Sequence, residues 1–215
     1  FEAILDEGGI ISTGSIPGLK HTPVALIGTA EKGYLSVEVS FNVAGGHSSM
    51  PNTKTAITQA AAFTEALSDG LFESEFSAPL EGFITHLAPE MPWALKSVFA
   101  NRFLTEPLLL SLYQKSHTGR ALTNNTAVAT IMASGIKDNV VPASARVVCN
   151  SRILPGTTPD DVLERYTALA GKYGGTVEPY QNMGSGPTST SSTESAEFLM
   201  LGQAVKKLFP DALVS

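Results

Sequence analysis

Leu35, Val37, Val39, Phe41 and Val43 alternate with Ser36, Glu38, Ser40 and Asn42. A period of two is what a strand with one buried face shows, so a strand is predicted over 34–44. Beyond it, Ile57, Ala60, Ala61, Phe63, Thr64 and Leu67 recur near helical spacing and predict a helix over 53–69. Alternation returns where Ala127, Ala129, Ile131 and Ala133 interleave with Thr126, Val128, Thr130 and Met132, a strand over 125–134. The run Gly135-Ile136-Lys137-Asp138-Asn139 turns the chain into another strand over 140–154, which Pro155-Gly156-Thr157 breaks. Thr158 then reads as a helix cap, with Pro159 at the first position and Asp160 and Asp161 in the first turn. That helix runs to about Lys172, where Gly174-Gly175 stops it before a strand over 176–180. A Gly/Ser/Thr-rich loop over 181–193 leads to a last helix over 195–208. At the other end the pattern predicts a strand at about 3–7, a Gly/Pro-rich loop over 8–23 and a strand over 24–30. Residues 70–120 are less regular: they hold Pro79, Pro89, Pro92 and Pro107, with helices predicted over 93–100 and 107–114.

Strand, helix, strand, strand, helix, strand is the order of a ferredoxin-like split βαβ sandwich, an α+β fold. It predicts a single antiparallel sheet with two helices on one face, burying Ile57, Phe63, Leu67, Val162, Leu163, Tyr166 and Leu169. This domain is expected over 30–182, with a helical insertion at about 70–120, while 1–29 and 183–215 belong to another domain that hosts it. Both ends read as buried-strand sequence, Phe1-Glu2-Ala3-Ile4-Leu5-Asp6 and Ala212-Leu213-Val214-Ser215, so an internal piece of a longer protein is expected. The lack of a signal peptide then carries no information on localisation.

Composition narrows the functional classes. The 215 residues are 43% hydrophobic and 16% charged, the balance of a well-cored globular protein. A net charge of -6 argues against nucleic acid or an anionic membrane as partner. No apolar run reaches the roughly 18 residues of a membrane span. Cys149 is the only cysteine, which excludes an intrachain disulfide and a cysteine-based metal site.

Three groups of residues carry candidate chemistry. In Gly45-Gly46-His47-Ser48-Ser49-Met50-Pro51 the imidazole sits on a glycine-loosened junction between strand and helix, where small neighbours let a substrate approach. Asp6-Glu7-Gly8-Gly9 puts two carboxylates after an apolar run, the placement of metal ligands at the strand ends of an α/β domain, or of a charged turn. Asn139 and Arg152 stand at the two ends of a strand region: a neutral amide and a permanent fork-shaped carboxylate binder, or a turn residue and a strand-end charge. His21, His47, His86 and His117 are scattered with no His-x-x-x-His pair, and no Gly-x-Ser-x-Gly elbow occurs.

Leu5-Asp6-Glu7-Gly8-Gly9, Gly46-His47-Ser48-Ser49-Met50-Pro51, Asn139-Val140-Val141-Pro142 and Asn150-Ser151-Arg152-Ile153-x-Pro155-Gly156 together resemble the aminoacylase/carboxypeptidase family of di-zinc hydrolases. The run Ala25-Leu26-Ile27-Gly28-Thr29-Ala30-Glu31-Lys32-Gly33 resembles its carboxypeptidase S branch. The resemblance covers residues 1–156 at least. It implies a lid domain of ferredoxin-like fold that also forms a homodimer, set into a zinc-binding catalytic domain. It implies metal-assisted hydrolysis of a peptide or N-acyl amino acid, with two zinc ions sharing a water and a Glu as general base. One zinc ligand comes from Asp6 or Glu7, since members of the family use either acid. His47 corresponds to the lid histidine that stabilises the oxyanion in a partner subunit's site, and Asn139 and Arg152 to the residues holding the substrate carboxylate. The family's remaining metal ligands and its base are absent from these residues, so the chain alone is expected to be inert and to hold no zinc tightly. The rival reading is a stand-alone ferredoxin-like module for ligand binding or dimerisation, without catalysis.

Overall fold

The computed structural model describes residues 4–6, 9–14, 16 and 18–215, with the side chains of residues 182 and 183 left aside. In chain order the elements are β1 (Ile11–Thr13), β2 (Pro23–Ala25), β3 (Gly33–Asn42), β4 (Gly46–His47), α1 (Ala56–Ser68), α2 (Ala78–Leu87), a 3-10 turn (Ala88–Glu90), α3 (Trp93–Ala100), α4 (Arg102–Tyr113) and α5 (His117–Thr123). There follow β5 (Val128–Ser134), β6 (Val140–Val141), β7 (Ser144–Ile153), α6 (Pro159–Lys172), β8 (Gly175–Ser185), α7 (Ala196–Leu208) and β9 (Leu213–Val214). They divide into two compact units: residues 32–74 with 124–187, and residues 1–31 with 75–123 and 188–215.

The first unit is the expected α+β sandwich. Its sheet runs β5-β7-β3-β8, every neighbouring pair antiparallel, which is the strand order of the split βαβ arrangement. One face of β3 (Leu35, Val37, Val39, Phe41) and of β7 (Ala145, Val147, Cys149, Ile153) packs with Ala56, Ala60, Phe63 and Leu67 of α1 and Val162, Tyr166 and Ala170 of α6. Both helices therefore cover one face, and Phe41 and Phe63 meet at 5.7 Å between ring centroids. The β8 backbone passes directly under the Phe41 ring. A Cβ at Gly175 would come within 2.6 Å of it, so only glycine fits there.

Four details depart from the periodicity. Ile57 is 46% exposed, because the buried stripe of α1 is Ala56, Ala60, Phe63 and Leu67, which differs from the predicted one in starting at Ala56 rather than Ile57. The small side chains at 56 and 60 bring the helix close to the sheet, and its start is fixed by a Thr55–Thr58 capping box. Leu163 and Leu169 are only partly buried at the edge of the core. A bulge between Ala129 and Ile131 breaks the alternation of β5 and leaves Ile131 45% exposed. The predicted 140–154 strand is two strands, because Pro142 lacks the N–H that a continuous ladder needs; β6 pairs with β4, and β7 joins the sheet.

Cys149 is fully buried on the helix-covered face, and burial pushes its thiol up to about 12. The native chain is therefore expected to resist a thiol-alkylating reagent at about pH 8 and to react once denatured. Rapid labelling of native protein, followed by mass spectrometry, would contradict the closed core.

In the second unit, β1 pairs antiparallel with β2, and β2 pairs parallel with β9. Leu19, Val24 and Leu87 form its core, with Phe83, Met91 and Leu213 against them. Residues 4–6 of the predicted first strand are not strand, and 3 and 7 lie outside the described residues; the strand comes later, at Ile11–Thr13. The predicted 24–30 strand is the short β2. Residues 75–123, expected as an insertion in the sheet domain, group instead with the terminal segments, because Leu87 at the end of α2 buries against Leu19 and Val24. Pro79 occupies the first turn of α2, where its missing N–H costs nothing.

Candidate functional site

Gly45 admits the chain to the β4–β6 ladder, since a Cβ there would lie 3.0 Å from the Val141 carbonyl oxygen. His47 is registered against Val140, and the Ser48 N–H donates to the Asn139 carbonyl at 3.1 Å. The following turn closes through Met50 N–H to the His47 carbonyl at 3.0 Å, and Asn52 Nδ2 donates to the Ala44 carbonyl at 2.9 Å. The His47 ring is thus held on an exposed two-residue ladder. Its Nδ1 lies 2.8 Å from Ser49 Oγ and accepts the Ser49 backbone N–H at 3.2 Å. Its Nε2 lies 3.4 Å from Asn139 Nδ2, while Asn139 Oδ1 is buried with no hydrogen-bond partner among the described residues.

Arg152 stands at the far end of β7. It is opposite Tyr34, whose ring its guanidinium covers at 5.3 Å, and its backbone N–H donates to Thr126 Oγ1 at 2.9 Å. Among the described residues it forms no salt bridge. The β4–β6 ladder continues from the other end of β7, at Ser144. Eight residues of extended strand separate Ser144 from Arg152, about 27 Å. The expected pairing of Asn139 with Arg152 is therefore not what one chain contains: Asn139 belongs with His47, because the turn before β6 folds back onto β4.

Lys32 and Ser49 carried no role in the sequence reading. Lys32 Nζ donates to the Asn124 carbonyl at 3.4 Å, and burial first, then the Arg152 charge, lower its pKa. Its place immediately before Gly33 in the branch-specific run was the available signal. For Ser49 the signal was a hydroxyl two residues from the histidine.

The metal expectation has less to stand on in these residues. Asp6 is exposed and outside any strand, and Glu7 lies outside the described residues. Among the described residues no three His, Cys, Asp or Glu side chains come together. One carboxylate supplies at most one of the four ligands that zinc demands. Nor, among the described residues, is any helix long and apolar enough to cross a membrane.

Comparison with known proteins places this geometry. The human N-fatty-acyl-amino acid synthase/hydrolase PM20D1 (Homo sapiens) is 30% identical over 213 residues, 99% of this chain and 42% of the relative. The probable carboxypeptidase S-like 2 of Dictyostelium discoideum is 30% identical over 216 residues, 100% of this chain and 41% of the relative. The chain thus spans about two-fifths of the length of these curated relatives. Among solved structures, the M20 family metallo-carboxypeptidase Sso-CP2 from Sulfolobus solfataricus matches 88% of this chain and 52% of its own, with a TM-score of 0.54 at 19% identity, a likeness of fold. Residues 29–178 match the peptidase dimerisation domain, so the chain belongs to the M20 peptidase family through that domain.

Proposed function

We propose that the chain is the dimerisation segment of a longer zinc-dependent exopeptidase or N-acyl-amino-acid amidohydrolase, called here the whole enzyme. Its reaction hydrolyses a peptide or amide bond next to a free carboxylate. His47 stabilises the oxyanion, Asn139 works beside it, and Arg152 grips the carboxylate with its planar fork. The acidic pair at 6–7 contributes one metal ligand, and the rest of the zinc site comes from outside these residues. Residues 1–29 and 183–215 belong to the catalytic domain. The chain by itself is inert.

The observation that carries this reading is the separation of exposed His47 and half-buried Asn139 from exposed Arg152 by the length of β7. A small substrate reaches only one end of a sheet at a time. Two copies related by a two-fold axis bring one copy's His47 to the other copy's Arg152. The free edge of β5 suits such pairing: Val128–Ser134 contains no charge and no proline, the usual guards of an unpaired edge.

Coexpressed His47→Ala and Arg152→Ala forms of the whole enzyme test it. Each homodimer is expected to be nearly inactive. In a mixed dimer one site receives both substitutions and the other neither, so a random mixture recovers about a quarter of wild-type activity. If the mixture stays as inactive as its components, His47 and Arg152 do not serve one site across a dimer.

A further inference from the structure

The two nitrogens of the His47 ring are not equivalent. A backbone N–H can only donate, so the Ser49 N–H at 3.2 Å requires a bare Nδ1. Ser49 Oγ, 2.8 Å from the same nitrogen, then donates its hydroxyl proton there. A neutral ring with a bare Nδ1 carries its proton on Nε2. Asn139 fits this tautomer once its amide is turned over. With Nε2 protonated, Nδ2 at 3.4 Å would set donor against donor, while Oδ1 is the orphaned buried acceptor. Turned over, the amide sets Oδ1 against Nε2–H and gives that oxygen its donor.

We propose that Ser49 is a positioning residue, holding His47 through its backbone N–H and its hydroxyl as the Nε2–H tautomer. The ring then meets the substrate as a hydrogen-bond donor. Asn139 Oδ1 engages the Nε2–H at rest, and a developing oxyanion, the stronger acceptor, takes the proton contact over from the neutral amide. This assignment rests on the oxyanion role given to His47 above, where a bare Nε2 would repel the charge it is meant to stabilise.

The test has a spectroscopic arm and a kinetic arm. Ring 15N shifts of His47 in the 215-residue chain, recorded at a pH where the ring is neutral, report the tautomer directly. The Nε2–H form is expected to dominate; Ser49→Ala should shift the ratio toward Nδ1–H by about fivefold, the worth of one hydrogen bond. Ser49→Thr should restore it. In the whole enzyme Ser49→Ala should lower kcat in proportion to the Nε2–H population lost, by less than about fivefold, with KM unchanged, and Ser49→Thr should recover it. A wild-type ring in the Nδ1–H form, an unchanged ratio in Ser49→Ala, or a shifted ratio with unchanged kcat overturns the proposal. So does a rise in KM with a lower melting temperature, which would mark Ser49 as merely structural. If the tautomer shifts as expected but His47→Ala keeps full turnover, the oxyanion reading fails while the Ser49 tautomer lock stands.

Discussion

His47→Ala in the whole enzyme is expected to lower kcat by about 10²–10³-fold, or roughly 3–4 kcal/mol of transition-state stabilisation. KM should hardly move, because an oxyanion donor makes its contact only as the carbonyl becomes tetrahedral. The ring is exposed and its ladder is held by backbone hydrogen bonds, so the loss should not come from unfolding. Matched thermal melts of the two proteins would check this. His47→Gln leaves an N–H donor on a shorter, flexible stem and should recover only part of the rate. Asn139→Ala is expected to fall between, since it frees the ring without removing the donor. Turnover within about threefold of wild type for His47→Ala would assign the Gly45–Pro51 stretch to structure and remove the oxyanion role.

The largest stability effect is expected at Phe63→Ala. Phe63 is fully buried, packs on Phe41, and lies in the seam where α1 covers β3 and β7. Removing a buried aromatic ring leaves a cavity that a close-packed sandwich cannot collapse, at a cost of about 3–5 kcal/mol. Domains of this kind are stable by about 5–15 kcal/mol in all, so the substitution removes a large share of the total. Urea unfolding should show the midpoint falling with little change in slope. Phe63→Leu should lose less, since it refills part of the space. A loss below about 1 kcal/mol for Phe63→Ala would mean that the α1 seam is not closed in solution.

The sandwich was legible because its strands alternate cleanly and its helices carry explicit start signals. Leu35 to Phe41 point inward at every second residue, and Thr158-Pro159-Asp160-Asp161 begins α6 where predicted. What escaped was set by partners outside the local window. Ile57 looks like an anchor by its neighbours alone, yet Ala56 faces the sheet, because close approach rewards the small side chain. The bulge at β5 depends on its register against β7, which no single strand encodes. The grouping of residues 75–123 with the terminal segments was not legible because Leu87 finds its partners Leu19 and Val24 some 60 positions away in sequence. For the site, the residue types were readable from their chemistry and from the family resemblance, but their grouping was not. Asn139 and Arg152 stand at the two ends of one predicted strand region, and the division at Pro142, which lets β6 pair with β4, is what sets the amide beside His47.

That division by Pro142 sets two scales of cooperativity in one domain. The sheet opens only when its shared core is breached, whereas the β4–β6 ladder is two residues deep and attached at its margin. Short, solvent-facing ladders open at low free energy without global unfolding. The arm carrying His47 can therefore be retuned, loosened or stiffened by changes in its own few residues while the hydrophobic sandwich is left untouched. The setting of the His47 ring and the folding of this domain are separable quantities, governed by different stretches of the same polypeptide.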